Sequence, residues 1–374
     1  MQKHLLIGNG VNIQFGGSDY INKNIITRAF NYLENDNFPS EIYPIEIGEY
    51  IKEYLYGSFT KIMKGKYDRF VATSSEEIEL ENFKSRYKFS RSKVRYYDIA
   101  FEDYFLIHQL FCRKKNITNP NKYNFQECIR MLFLDSIYNN GKINEIHSNF
   151  SDKFTDWLED FDSIFTTNYD KNIEIATEKD INYLHGAFHI KKDIYDHNSF
   201  RNLISDKPIE SSVIVEGYDH LYSTALTTSS GSLKKFAGNM HPNANSAIEK
   251  FAEGAKNDKD IKKEIENWKT SEQKLVRNLY EAVMLKIENP ELEFKDYYPF
   301  DKLEDIKGTL TILGLSPNND NHIIDMISEN KNIDKVIYYY FDIKEGRYLE
   351  RNLNNKKSEL NNVKEFWANC SSKT

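Results

Sequence analysis

Leu5-Leu6-Ile7-Gly8-Asn9-Gly10-Val11-Asn12 reads as a strand that runs straight into a G-x-G turn. A short, unbroken apolar run closed by glycine is the pattern of a strand covered on both faces of a parallel sheet. Glycines at such a turn let the backbone approach a pyrophosphate, and the helix that follows can stabilise negative charge at its N-terminus. The third glycine of the usual dinucleotide fingerprint is missing from its place, although Gly16 and Gly17 follow soon after. Taken alone, the segment reads equally well as an ordinary tight β-turn.

Short apolar runs at residues 4–7, 163–166, 182–184, 212–215, 309–313 and 335–341 read as buried strands, each followed by a polar or glycine-bearing turn. Helical patterns separate them. This alternation predicts an α/β, Rossmann-like fold with a mostly parallel six-stranded sheet and helices on both faces. Two long stretches, about 25–160 and 220–300, lack the strand pattern and read as helical insertions into a single domain spanning 1–374. In the second, Ile261, Ile265, Trp268, Leu275, Leu279, Val283 and Leu285 recur at roughly helical spacing, which predicts a long surface helix or a helix pair. The tail from about Glu345 reads as one more helix.

Composition narrows the function classes. Of 374 residues 40% are apolar, with 25 Tyr and 24 Phe, which is ample material for a core. A net charge of −7 argues against a protein whose main task is to coat nucleic acid, so direct nucleic-acid binding is not expected. Cys112, Cys128 and Cys370 are far apart and form no CxxC pair, which fits a reducing compartment and a cytoplasmic location. The first residues do not read as a signal peptide, and no run approaches the ~18 apolar residues of a membrane span. No Cys, His, Asp and Glu cluster has metal-ligand spacing along the chain, so no metal is expected.

Three more strand ends carry polar groups. Phe165-Thr166-Thr167-Asn168-Tyr169-Asp170 sets hydrogen-bonding side chains at the carboxyl edge of the sheet, where α/β enzymes bind ligands. Asp170 also suits the start of the helix holding Ile173 and Ile175. Tyr183-Leu184-His185-Gly186 delivers an imidazole that reads either as a general base near neutral pH or as a satisfied structural histidine. Gly186 would leave room for a ligand, and His189 is a weaker second imidazole. Ile312-Leu313-Gly314-Leu315-Ser316-Pro317-Asn318-Asn319-Asp320 ends another strand in groups able to hold a ribose hydroxyl or an adenine edge, or simply forms a capped loop.

The combination of GNGVN, FTTNYD, YLHG and ILGLSPNND resembles the sirtuin-like superfamily, whose pattern is a G-A-G turn, T-Q-N-[IV]-D, an H-G strand end and a G-T-S strand end. The wording is most similar to the sirtuin-like NAD hydrolases of prokaryotic anti-phage defence, as in Thoeris and HerA-associated systems. The motifs span residues 5–320. The CxxC pairs of the sirtuin zinc module are absent, and Thr167 and Asn9 stand where zinc sirtuins carry Gln and Ala. Both departures favour NAD+ hydrolysis over deacylation.

That resemblance implies an NAD+ glycohydrolase releasing nicotinamide and ADP-ribose, which depletes NAD+ in abortive infection. Asn168 would orient ribose and water, His185 would be the general base, and Asp170 would fix Asn168 or contact nicotinamide. Gly8, Asn9, Gly10, Asn12, Thr166 and Thr167 would line the pyrophosphate and nicotinamide-ribose half. Gly314, Ser316 and Asp320 would meet the adenosine half. It further implies a homo-oligomer, a HerA-like hexameric ATPase or another defence partner, and a phage-derived trigger. A protein deacylase or ADP-ribosyl transferase using the same cleavage, and a non-catalytic NAD or ADP-ribose sensor, are the alternative readings.

Overall fold

The computed structural model describes residues 2–34, 46–88, 93–118, 121–191, 216–226, 234, 247–290, 297–317 and 320–371. Its centre is one sheet of six strands: β1 (Lys3–Ile7), β2 (Ser163–Thr166), β3 (Ile181–Tyr183), β4 (Gly308–Leu313), β5 (Ile333–Tyr340) and β6 (Lys357–Asn362). The spatial order is β3-β2-β1-β4-β5-β6, and every pairing is parallel. From β1 the chain builds outward through β2 to β3, then returns to the other side of β1 for β4, β5 and β6. The order therefore reverses between β1 and β4, the two central strands. That is the point at which open α/β sheets form a ligand crevice.

Alternation of side chains along the strands builds two cores. On one face Leu6, Leu310, Ile312, Val336 and Tyr338 pack against helices Phe300–Glu304, Asn321–Glu329 and Ile343–Asn352. On the other, Leu5, Ile7, Ile164 and Leu313 pack against Phe154 and Leu158 of helix Asp152–Glu159 and against Val363 and Trp367 of helix Val363–Ser371. All these side chains are buried, which accounts for the continuous apolar runs.

Among the described residues, the chain between β1 and β2 holds helices and no strand, and its helices form a separate core from Tyr20 to Ile146. Tyr169 and Phe188, just past β2 and β3, belong to that same core, so the inserted helices sit over the carboxyl edge of the sheet. The charged stretch near 256–289 is a helix pair, Lys259–Trp268 and Lys274–Glu288, with a small core around Ile265 and Val283.

One expectation changes, while the run at 212–215 lies outside the described residues. The sixth described strand is β6, within the tail expected to be one helix. That tail is helix Ile343–Asn352, then β6, then helix Val363–Ser371. The β6 sequence, Lys-Ser-Glu-Leu-Asn-Asn, is polar because an edge strand pairs on one side only and gains from charge that discourages further pairing. Its Glu359 forms an ion pair with Lys335 on β5.

The turns after β1 and β4 touch backbone to backbone. Gly8 N–H donates to the Leu313 carbonyl at 2.9 Å and Gly10 N–H to the Gly314 carbonyl at 2.8 Å. A Cβ on Gly10 would lie 2.6 Å from the Gly314 Cα, whereas one on the exposed helical Gly57 would meet nothing within 4 Å. Gly10→Ala should therefore lower unfolding free energy by about 2–3 kcal/mol through overpacking. Gly57→Ala should raise it by roughly 0.5–1 kcal/mol by restricting the unfolded chain. Urea unfolding of both variants checks the pair, and equal effects would contradict the contact.

Candidate active site

The end of β2 is knotted to the end of β1 by hydrogen bonds. Thr166 Oγ1 donates to the Ile7 carbonyl at 3.2 Å and accepts from the Asn168 N–H at 3.0 Å, while Thr167 N–H donates to the Ile7 carbonyl at 3.0 Å. Asn168 is buried rather than displayed in an open cleft, and its Nδ2 donates to the Gly8 carbonyl at 3.4 Å. Asp170, also buried, is the hub of an amide–carboxylate network. One oxygen accepts from Asn12 Nδ2 at 2.7 Å; the other accepts from the Asn172 N–H at 3.0 Å and its Nδ2 at 2.5 Å. Asp170 thus serves the first residue of helix Asn172–Thr177 and fixes Asn12 across from β1. Burial raises its pKa, against the lowering effect of the Asn12 and Asn172 donors.

His185 follows β3 in a turn closed by Gly186, whose φ is +74°. A Cβ on Gly186 would lie 2.2 Å from the Thr224 carbonyl oxygen. The space expected for a ligand beside Gly186 is filled by backbone from the segment 216–226. That segment is held by Arg130 on helix Asn121–Tyr138. Its guanidinium donates to the carbonyls of Leu221 at 2.8 Å, Ala225 at 3.2 Å and Ser223 at 3.4 Å, and pairs with Glu127 at 2.6 Å. Both partners of that ion pair are buried, where a charge persists only with such compensation.

The His185 ring meets a second histidine. Its Nε2 lies 3.1 Å from Nε2 of His322 and 3.9 Å from Oδ1 of Asp320. Asp320 in turn accepts from Lys234 Nζ at 3.3 Å, and Lys234 reaches Glu102 at 2.5 Å. Burial, the Lys234 ammonium and His322 hold the His185 pKa well below the usual imidazole value, so the ring is neutral at physiological pH. Burial, partly offset by Lys234 and reinforced by Asp320, pushes Glu102 up to about 7. Burial works against the Lys234 ammonium, but Glu102 and Asp320 outweigh it and its pKa rises.

The structure therefore links Gly8, Thr166 and Asn168 in one set of hydrogen bonds, Asn12 and Asp170 in a second, and brings His185 and Asp320 together in a third cluster. The contact of Gly8 and Gly10 with Gly314 joins the strand ends that carry them. The N–H groups of Gly8 and Gly10 are taken by the Leu313 and Gly314 carbonyls. Other expected residues point elsewhere: Asn9 Nδ2 donates to the Tyr20 carbonyl at 2.8 Å, and Ser316 Oγ donates to Glu345 at 3.0 Å. His189 faces Glu174. His322, Lys234, Glu102 and Arg130 carried no sequence signal as a group, although an arginine inside the apolar run of helix Asn121–Tyr138 marks a buried charge in need of partners. The expectation that no His, Asp and Glu cluster has metal-ligand spacing holds along the chain but not in space, because the fold joins His185, Asp320 and His322.

Comparison with protein families, curated proteins and solved structures finds no match to this chain.

Asp170→Ala would leave buried donors on Asn12 and Asn172 without this acceptor. The expected loss is about 2–4 kcal/mol of unfolding free energy, since each orphaned buried group costs roughly 1–3 kcal/mol. Chemical denaturation measures it, and a loss below that of an ordinary surface substitution would contradict the network.

Proposed function

We propose that this protein hydrolyses the nicotinamide–ribose bond of NAD+, releasing nicotinamide and ADP-ribose. The carrying observation is that Asn168, Asp170, His185 and Asp320 all follow the carboxyl ends of parallel strands, β2, β3 and β4, of a sheet whose strand order reverses between β1 and β4. Such a reversal is where doubly wound sheets take dinucleotides. The motifs at those strand ends resemble the sirtuin-like NAD hydrolases, and this likeness supplies the choice of reaction.

Cleavage of the glycosidic bond builds positive charge on the ribose. The enzyme's work is to position substrate and water and to stabilise that charge. The amide of Asn168 orients ribose and water, and the neutral ring of His185 accepts a proton from water or through a ribose hydroxyl. Two carboxylates, Glu102 and Asp320, face the ammonium of Lys234; with the pKa of Glu102 raised to about 7, the group turns net negative, and so favours a growing cation, only as Glu102 ionises. Asp170 holds Asn12 and the start of the following helix, which makes it a positioning residue. Depletion of NAD+ during phage infection, in the cytoplasm and within a homo-oligomer gated by a defence partner such as a HerA-like ATPase, is the setting this reading assigns.

Incubating the purified protein with NAD+ should yield nicotinamide and ADP-ribose by chromatography without any acylated peptide. Strict dependence on an acetyl-lysine substrate would favour deacylation instead. Asn168→Ala should abolish release while costing about 1 kcal/mol of stability, the worth of its one long hydrogen bond. His185→Ala should lower turnover by ~10²–10⁴-fold, the usual contribution of a placed general base. A destabilised His185→Ala protein that keeps its turnover would remove the base assignment.

A further inference from the structure

We propose that His185, Asp320 and His322 form a binding site for a late first-row divalent cation, with Zn2+ as its representative, and that the bound ion and NAD+ cleavage exclude one another. The second half rests on the proposed hydrolysis; the first does not. Two imidazole nitrogens and one carboxylate oxygen are a donor set for such ions. The three donor atoms lie within 4.8 Å of one another, and all three residues are buried. The two Nε2 atoms face each other at 3.1 Å, with the rings tilted only 21° from parallel. Nitrogens bound at about 2.0–2.1 Å to one tetrahedral ion stand roughly 3.4 Å apart, so the histidine pair needs to open by only a few tenths of an ångström. Asp320 Oδ1, at 3.9 Å from His185, closes the third corner by a small side-chain shift.

The surroundings carry both signs: the Lys234 ammonium opposes positive charge at His185, and Glu102 and Asp320 offset that ammonium. Lys234 touches both Glu102 and Asp320, so its one positive charge is shared between two carboxylates. Its hydrogen bond to Asp320 orients that carboxylate in the way outer partners orient metal ligands. In the absence of an ion, one neutral imidazole donates to the other. A metal replaces that shared proton at His185 Nε2, and the neutral ring that ligates it keeps its proton on Nδ1, so His185 no longer serves as the base of the proposed hydrolysis.

The test uses the full-length protein, stripped with EDTA and freed of chelator. Titration with Zn2+ alone, read against a chromogenic zinc indicator, should give one equivalent bound. His322→Gln and Asp320→Asn should each weaken binding by more than about 100-fold, beyond the 10–100-fold typical of an outer partner. Circular dichroism and melting in EDTA confirm that each variant folds. If one does not fold, the other and the wild-type spectrum decide. Co2+ in place of Zn2+ should give visible d–d bands without thiolate charge transfer, which separates this site from the three cysteines. No stoichiometric binding, binding undiminished in the folded variants, or a thiolate spectrum would each overturn the site. At full Zn2+ occupancy nicotinamide release should fall in step with loading and recover in EDTA. Release unchanged by loading would overturn the exclusion and leave the hydrolysis standing. Stoichiometric binding with no release under any condition would overturn the hydrolysis and leave the metal site standing.

Discussion

The turns that leave β1 and β4 are bonded to each other beyond the ends of their strands, and the rest of the site hangs from that contact. Helices leaving a parallel sheet at a strand-order reversal ordinarily diverge. Here two further backbone hydrogen bonds, from Gly8 and Gly10, carry the ladder past Ile7 and Leu313. The approach is so close that a Cβ on Gly8 would stand 2.5 Å from the Gly314 carbonyl oxygen, and Gly314 itself takes a φ of +71°. With those turns locked, Asn12 is delivered to Asp170, the Gly8 carbonyl to Asn168, and the loop after β4 to the neighbourhood of His185.

What surrounds this frame is unusually polar for a buried region, and it is partitioned. Near β1 and β2, Asn12 and Asn172 donate to Asp170, and Asn168 donates to the Gly8 carbonyl. Near β3 and β4, His185, His322, Asp320, Lys234 and Glu102 form a chain of titratable groups whose pKa values are displaced in opposing directions. Displacements of this kind occur at functional sites and in structural ion-pair networks alike.

The inserted segments are part of that chemistry. Glu102 comes from the insertion between β1 and β2, and Lys234 from the stretch between β3 and β4, so the ion pair reaching Asp320 joins three separate regions. Arg130 fixes the carbonyls of the 221–225 segment, and Thr224 of that segment lies against the backbone of Gly186. A buried guanidinium bonded to three carbonyls fixes the backbone that abuts the turn carrying His185.

The local pattern of the chain was enough to determine the buried strands and the polar residues that end them. β1, β2 and β4 are covered on both faces, so their buried positions are mostly apolar, and a turn into a helix needs glycine or a short polar side chain. Asn168, Asp170, His185 and Asp320 were legible for that reason. β6 was not, because an edge strand owes no apolar debt to a second neighbour and can read as Lys-Ser-Glu-Leu-Asn-Asn. Nor did the glycines disclose what they accommodate: Gly10 and Gly186 make room for Gly314 and Thr224 backbone, a fact of tertiary packing alone. The pairing of His185 with His322, 137 residues away, and of Lys234 with Glu102, 132 residues away, leaves no periodic trace. Electrostatic partners are selected by distance in space after the sheet has closed, and spacing along the chain places no constraint on them.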